Sequence, residues 1–367
     1  MRDRSLSTSI DPSLWEQLAW PGVVHLAAQT VGGLDDLADS TRVPPELGLR
    51  VDKEDQHVDV FQRGVVADVL LDCSDLLGRQ LEPVIEHELD YLMDRRRTDG
   101  RGWSYLPEVP EFPPDSDTLS SVMIALLGAG RRIDVDKYCR PAVEFVLRDC
   151  LGPAGMPRTW LVPDAERSGD GRLPEPWLSC LVEGSGDADV IPSLLYALHV
   201  DDPRGAAEWV ARGADYLERV QRDDGGWVSP FYCGRFYVVY ACLRFFGAVR
   251  PESPAVTRAL ELLRAVQQDD GGWGRRSTGS DPLSTALALL ALASVPDRLD
   301  ADDIARSVAG ARYLSNIRGE DRLWPASPFF WRLEEAGKIP AMIPYMSTTL
   351  TCALVVKSCL MWRRLGV

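Results

Sequence analysis

Histidine is scarce and paired cysteine motifs are absent, and most metal and nucleophile chemistry goes with them. The four histidines, His25, His57, His87 and His199, stand at no ligand spacing from a cysteine or from one another. The eight cysteines (73, 139, 150, 180, 233, 242, 352 and 359) form no CxxC and fall inside apolar periodic segments, as reduced core residues do. No zinc is expected. Positive charge is short as well: 40 Lys plus Arg against 55 Asp plus Glu leaves a net charge of −15. Such a surface repels phosphate backbones, so nucleic acid is not an expected partner. Long apolar runs are missing; Leu283–Ala293 is about half of the ~20 residues a membrane span needs. The opening segment has no apolar signal-peptide core, and a cytoplasmic location is expected. P-loop, Rossmann and serine-hydrolase signatures are also absent.

What is present is a repeat. Leu217-Glu-Arg-Val-Gln-Arg-Asp-Asp-Gly-Gly-Trp227 and Leu263-Arg-Ala-Val-Gln-Gln-Asp-Asp-Gly-Gly-Trp273 are near copies. A weaker copy runs from Tyr91 to Trp103, with Arg97 in place of the glutamine. The interval fits a helix pair plus a loop. The glutamine can bond the turn, the glycines supply positive φ, and the tryptophan packs on the helix end. Periodicity predicts amphipathic outer helices near 12–30, 79–96, 136–150, 204–221, 253–268 and 301–316. Nearly all-apolar inner helices are predicted near 58–72, 117–129, 188–199, 235–248, 282–294 and 346–361. This alternation predicts an all-α, closed (α/α)6 double ring around a central cavity. No strand pattern of useful length competes, and no linker divides the chain. One domain over 1–367, with an N-terminal arm at about 1–11, is expected.

In that ring the inner-helix N-termini line one mouth of the cavity. The segment Phe112-Pro-Pro-Asp-Ser-Asp-Thr-Leu-Ser-Ser121 opens an inner helix there. Asp115 and Asp117 have two readings, helix capping or acid chemistry at the mouth of an enclosed, aromatic-rich space. Asp35-Asp-Leu-Ala-Asp39 spells a DDxxD metal motif but lacks a second metal-binding segment, and it reads as a solvated turn. Aromatics cluster on loops that feed the cavity, among them Trp103, Tyr105, Trp177, Phe231, Tyr232, Phe236, Phe330 and Trp331. Some of these are core packing. The others make walls suited to cations, at up to about 2 kcal/mol per desolvated contact.

From about residue 82 to about 360 the chain resembles the squalene–hopene cyclase and class II terpene cyclase superfamily. The resemblance is carried by the Gln-x5-Trp repeats, by Ala265-Val-Gln-Gln-Asp-Asp-Gly-Gly-Trp-Gly274 and by Ser280-Asp-Pro-Leu-Ser-Thr-Ala-Leu-Ala-Leu-Leu-Ala-Leu292. The chain looks like a monodomain member without the γ domain, the kind associated with meroterpenoid assembly. The family's Asp-x-Asp-Asp-Thr motif is similar to Asp115-Ser-Asp117-Thr118. By that match Asp117 is the general acid, with Asp115 and Thr118 as its neighbours. Trp103, Tyr105, Trp177, Phe231, Tyr232, Phe236 and Leu287 are the implied substrate-binding residues. Three departures stand out. Val266 replaces a histidine that supports the acid in hopene-type enzymes. Leu287 replaces a tryptophan, and Lys338 and Ile343 replace late aromatics. A short cascade of two to four rings is implied.

The resemblance therefore implies protonation of a linear polyprenyl substrate and carbocationic cyclisation without a required cofactor. A prenylated aromatic, a meroterpenoid precursor, is the expected substrate, because a diphosphate would need Mg²⁺ or clustered cations. Glu54-Asp-Gln-His-Val-Asp59 poorly imitates the γ-domain magnesium motif. The alternative is a drimenyl- or copalyl-diphosphate type of cyclase, and a lesser one is a non-catalytic isoprenoid-binding toroid. A protein prenyltransferase β-subunit shares the toroid but needs a zinc histidine, and none follows His199. A peripheral membrane contact would serve uptake of so apolar a substrate.

Overall fold

In the computed structural model, which describes residues 13–42, 55–163, 188–275, 277–336 and 339–366, helices of two kinds alternate along the chain. One kind buries a single stripe: α1 (Ser13–Val31), α3 (Glu82–Asp94), α5 (Arg140–Asp149), α7 (Ala207–Val220), α9 (Pro254–Val266) and α11 (Ala301–Asn316). In α7 the buried set is Val210, Gly213, Ala214, Tyr216 and Leu217, spaced at the helical period. The other kind is buried almost all round: α2 (Val60–Leu77), α4 (Ser116–Gly128), α6 (Ile191–Asp201), α8 (Phe236–Val249), α10 (Pro282–Ala293) and α12 (Thr348–Leu365). Every residue of α10 is buried. A helix apolar on all sides needs neighbours on all sides, and a ring within a ring provides them. Accordingly α2 packs on α4, α4 on α6, α6 on α8, α8 on α10, α10 on α12, and α12 returns to α2. Outside, α1 lies on α12, α3 on α2, α7 on α6, α9 on α8 and α11 on α10. This is the (α/α)6 toroid expected from the periodicity. No described helix is long and apolar enough to cross a membrane.

The repeats join the two rings. The indole Nε1 of Trp227 donates to the Leu217 carbonyl at 2.9 Å, and that of Trp273 to Leu263 at 2.9 Å. Trp103 does the same to Leu92 at 2.6 Å and Trp324 to Leu314 at 2.8 Å, so Trp324 belongs to a further copy. Gln221 and Gln267 bond their own turns at the Gly225 and Gly271 carbonyls, each at 2.8 Å. Gly271 has φ +85°, and a Cβ there would lie 2.7 Å from the Ala309 carbonyl oxygen. Only glycine allows that turn to sit against α11. The Trp103 carbonyl then accepts the Asp115 N–H at 3.0 Å, and the Trp273 carbonyl accepts that of Asp281 at 3.0 Å. These two repeats thus set the starts of α4 and α10.

The structure corrects the expectation that no strand competes. An antiparallel hairpin, β5 (Ser327–Ala336) with β6 (Ile339–Ser347), follows α11; β1 (Asp39–Arg42) and β2 (Asp55–Val58) form a smaller pair, and β3 (Gly274–Arg275) and β4 (Gly279–Ser280) a minimal one. Pro328, Pro340 and Pro344 lie inside β5 and β6 and hide the strand pattern, since proline is tolerated only where no ladder donor is needed. Deeper along the inner helices, Lys357 of α12 contacts Asp72 at 2.5 Å and Asp68 of α2 at 3.0 Å. Arg244 of α8 lies 3.7 Å from Asp68. Paired charges therefore occupy the inner ring below the site, with aromatics above them.

Candidate active site

The inner-helix N-termini converge as expected, and the two aspartates separate there. Asp115 is the N-cap of α4: Oδ1 accepts from the Thr118 N–H at 2.7 Å and Oδ2 from the Thr118 hydroxyl at 3.0 Å. Asp281 caps α10 in the same way, taking the Ser284 N–H at 2.8 Å and its hydroxyl at 2.6 Å. Capping is therefore a recurrent duty of this fold, and for Asp115 it is the observed geometry. Asp117, in the first turn, caps nothing. Its Oδ2 accepts from the Tyr232 hydroxyl, and its buried Oδ1 has no hydrogen-bond partner.

These groups line a cavity of about 100 Å³ with Phe61, Tyr105, Asp115, Thr118, Thr159, Trp160, Val190, Phe231, Tyr232, Phe330 and Trp331. Local pairing places the wall. Asp115 bridges Trp160 and Tyr232 bridges Phe330 in antiparallel fashion, and the Trp331 N–H donates to the Phe231 carbonyl at 2.8 Å. Phe330 stacks on Tyr345 at 4.5 Å and meets Tyr105 edge-on at 6.1 Å. Phe61 lies 6.3 Å from Tyr232 and 6.5 Å from Phe330.

Electrostatics follow from this enclosure. Asp117 is half-buried and lines the cavity. Desolvation pushes its pKa well above the ordinary carboxyl value, the Tyr232 hydrogen bond opposes that rise, and the charges of Asp115 and Asp189 reinforce it. Burial of this kind favours the protonated form of the carboxyl over the carboxylate. Asp115, fully desolvated but hydrogen-bonded by Thr118, is pushed up to about 6. Asp189, with no exposure, accepts from Ser229 Oγ and the Phe231 N–H, each at 3.2 Å.

A desolvated carboxyl with a raised pKa, in an aromatic cavity of a helical double ring, narrows the family sharply. A family model described as the squalene-hopene cyclase C-terminal domain matches residues 68–329. The chain belongs to that family. Solved structures share the fold of this cyclase-family chain. A variant of the type II terpene cyclase MstE from Scytonema, in complex with geranylgeranyl dihydroxybenzoate (substrate), matches with a TM-score of 0.69 at 12% identity, covering 97% of this chain and 99% of that one. A protein from Actinoplanes matches with a TM-score of 0.65 at 19% identity, covering 92% and 99%. The ent-copalyl diphosphate synthase from Streptomyces platensis matches with a TM-score of 0.57 at 20% identity, covering 83% of this chain and 51% of that one. No curated protein matches the chain.

Of the residues the cyclase resemblance pointed to, Asp115, Asp117, Thr118, Tyr105, Phe231 and Tyr232 line the cavity. Three others do not. Trp103, with no exposure, is committed to the repeat contact at the end of α3; its backbone, not its ring, serves the site by holding Asp115. Phe236 is 4% exposed at the start of α8 and Leu287 4% exposed within α10, both in the core. Trp177 lies outside the described residues, as does Lys338. Val266, at the end of outer helix α9, is likewise absent from the lining. Phe61, Thr159, Trp160 and Val190 were not anticipated; they come from segments whose patterns read as ordinary core or loop. Trp160 brings a buried indole Nε1 without a hydrogen-bond partner.

The DDxxD segment is not simply a solvated turn. Asp36 accepts from Ser347 Oγ at 2.9 Å and from the Thr349 N–H at 2.7 Å, and Asp39, 4% exposed, pairs with Arg332 at 2.9 Å. Among the described residues no group of three or more His, Cys, Asp or Glu side chains could hold a metal ion. Arg235, just before α8, lies 3.4 Å from Asp224.

Proposed function

We propose that this chain is a class II terpene cyclase in which Asp117 protonates the terminal alkene of a polyprenyl chain. The observation that carries the reading is Asp117 itself: desolvated, its pKa raised so that the protonated form is favoured, and with Oδ1 unengaged in an aromatic wall. The Oδ1–H bond breaks, the proton adds to the less substituted alkene carbon, and a tertiary cation forms. Internal double bonds then attack in turn, each forming a C–C bond and passing the charge along. Loss of a proton from the last cation, or its capture by an internal nucleophile, ends the cascade; a solvent proton restores Asp117. The aromatic faces of Phe61, Phe231, Tyr232 and Phe330 lie where the early cations form.

At about 100 Å³ the space falls below the roughly 300 Å³ at which small-molecule sites begin, so it seats the reacting end and not the whole chain. The head group we favour is a prenylated aromatic acid. It asks for one cation and an aromatic surface, whereas a diphosphate asks a protein of net charge −15 for clustered cations or Mg²⁺. The fold shared with MstE, whose complex holds geranylgeranyl dihydroxybenzoate, supports this choice. The fold shared with ent-copalyl diphosphate synthase keeps a diphosphate as the second reading. Incubation in EDTA with a geranylgeranylated hydroxybenzoate, and with farnesyl and geranylgeranyl diphosphates, distinguishes them. Cyclised arene in EDTA supports the first; metal-dependent turnover of the diphosphates alone supports the second. A peripheral membrane contact during substrate uptake belongs to the same proposal, as does a cytoplasmic site of action.

A further inference from the structure

A carboxylic acid strong enough to protonate an alkene needs more than burial. Burial keeps the proton on; something must also stabilise the carboxylate that remains and decide which oxygen carries the proton. We propose that Tyr232 is the positioning residue that does both, its hydroxyl occupying Oδ2 so that the transferable proton resides on Oδ1. The proposal rests on the reading of Asp117 as the proton donor and goes beyond it by naming what tunes that donor.

Three observations carry it. The Tyr232 hydroxyl donates to Asp117 Oδ2, while Oδ1 has no partner. The phenol is rigidly held: its ring stacks on Tyr237 at 3.8 Å, lies 5.3 Å from Phe329, and its backbone pairs with Phe330. The groups facing Asp117 are Asp115 from its own helix, Asp189 from the segment leading into α6, and Tyr232 and Tyr237 from the α8 entry. Asp115 and Asp189 disfavour the carboxylate, and Tyr232 is the neighbour that favours it. Tyr232 is itself buried beside a carboxyl, which holds its phenol protonated. It therefore keeps a proton to donate in both states of Asp117. Val266, by contrast, sits at the end of outer helix α9 and cannot act here.

The test is Tyr232→Phe, which keeps the ring and removes the donor. In the resting protein, isotope-edited infrared titration of the Asp117 carboxyl should show its midpoint moving to higher pH; no substrate is needed, so this result stands apart from the choice of substrate. With a cyclised substrate, kcat should fall about 10- to 100-fold, the range for one hydrogen bond to a charged group. The alkaline limb of its pH profile should rise, with KM little changed. Tyr237→Phe, which removes a hydroxyl hydrogen-bonded to that of Tyr232, should move the midpoint less than Tyr232→Phe does. Should Tyr232→Phe fail to fold, uniform 3-fluorotyrosine labelling strengthens the donor and should move the midpoint to lower pH. An unmoved midpoint in either protein overturns the proposal. So does a Tyr232→Phe enzyme with altered products and an unshifted limb, because that outcome makes Tyr232 a cavity wall only.

Discussion

Replacing Trp273 with alanine should cost stability and leave the chemistry alone. The ring has no exposure, its Nε1 donates to Leu263 at 2.9 Å, and it fits so closely on α11 that a Cβ added at Gly310 would meet it at 2.8 Å. Truncating a buried aromatic of this kind costs about 3–5 kcal/mol. The indole hydrogen bond contributes about 1 kcal/mol of that, the amount Trp273→Phe should lose on top of a small packing change. An unfolding entropy of roughly 2.1 cal/mol/K per residue over 367 residues makes one kcal/mol worth about 1.3 °C. Trp273→Ala should therefore melt about 4–6 °C below the parent in differential scanning calorimetry, if unfolding is a single cooperative transition. Its product profile should match the parent's below the melt. Normal melting with altered products would mean that the repeat tryptophans face the cavity and that the ring register is wrong.

Other outcomes follow from single features of the ring and the site. Gly271→Ala should be destabilised by more than about 1 kcal/mol in urea melts, because φ +85° and the Ala309 carbonyl at 2.7 Å exclude a side chain without movement. Asp115 has a folded pKa raised to about 6, so its contribution to stability is full below about pH 4 and is lost as pH rises through 6. Asp115→Asn, which can still cap α4, should accordingly show a smaller fall in melting temperature between pH 4 and 7 than the parent. Phe330→Ala opens the wall beside Tyr105 and Tyr345 and should shift products toward early-terminated rings, read by gas chromatography and mass spectrometry; an unchanged profile would remove Phe330 from the path of the cations.

The ring was legible in the sequence because its logic is one of periodicity. Helices buried all round and helices buried on one stripe alternate, and only a closed double ring satisfies both. The hairpin was not legible, since its prolines break the strand pattern and its place is set by backbone pairing to the Phe231–Tyr232 loop. Asp115 and Asp117 look equivalent as residues. They separate only when the cap geometry commits one carboxylate to Thr118 and leaves the other facing the cavity. Trp103 reads equally well as a repeat residue and as a wall aromatic, and the Leu92 contact distinguishes the two. Phe61, Trp160 and Val190 reach the site from segments far apart in the chain, and no local motif announces them.

Asp117→Asn tests the central claim most directly. The amide is isosteric but has no acidic proton, and it replaces a carboxyl that burial biases toward its neutral form, so the melting temperature should stay within a degree or two of the parent. General acid catalysis is worth roughly 10²–10⁴ in rate, and product formation should fall by at least that much in a single-substrate assay with mass-spectrometric detection. Turnover above a few per cent of the parent's, in a variant that folds normally, would contradict the account and place the acid elsewhere.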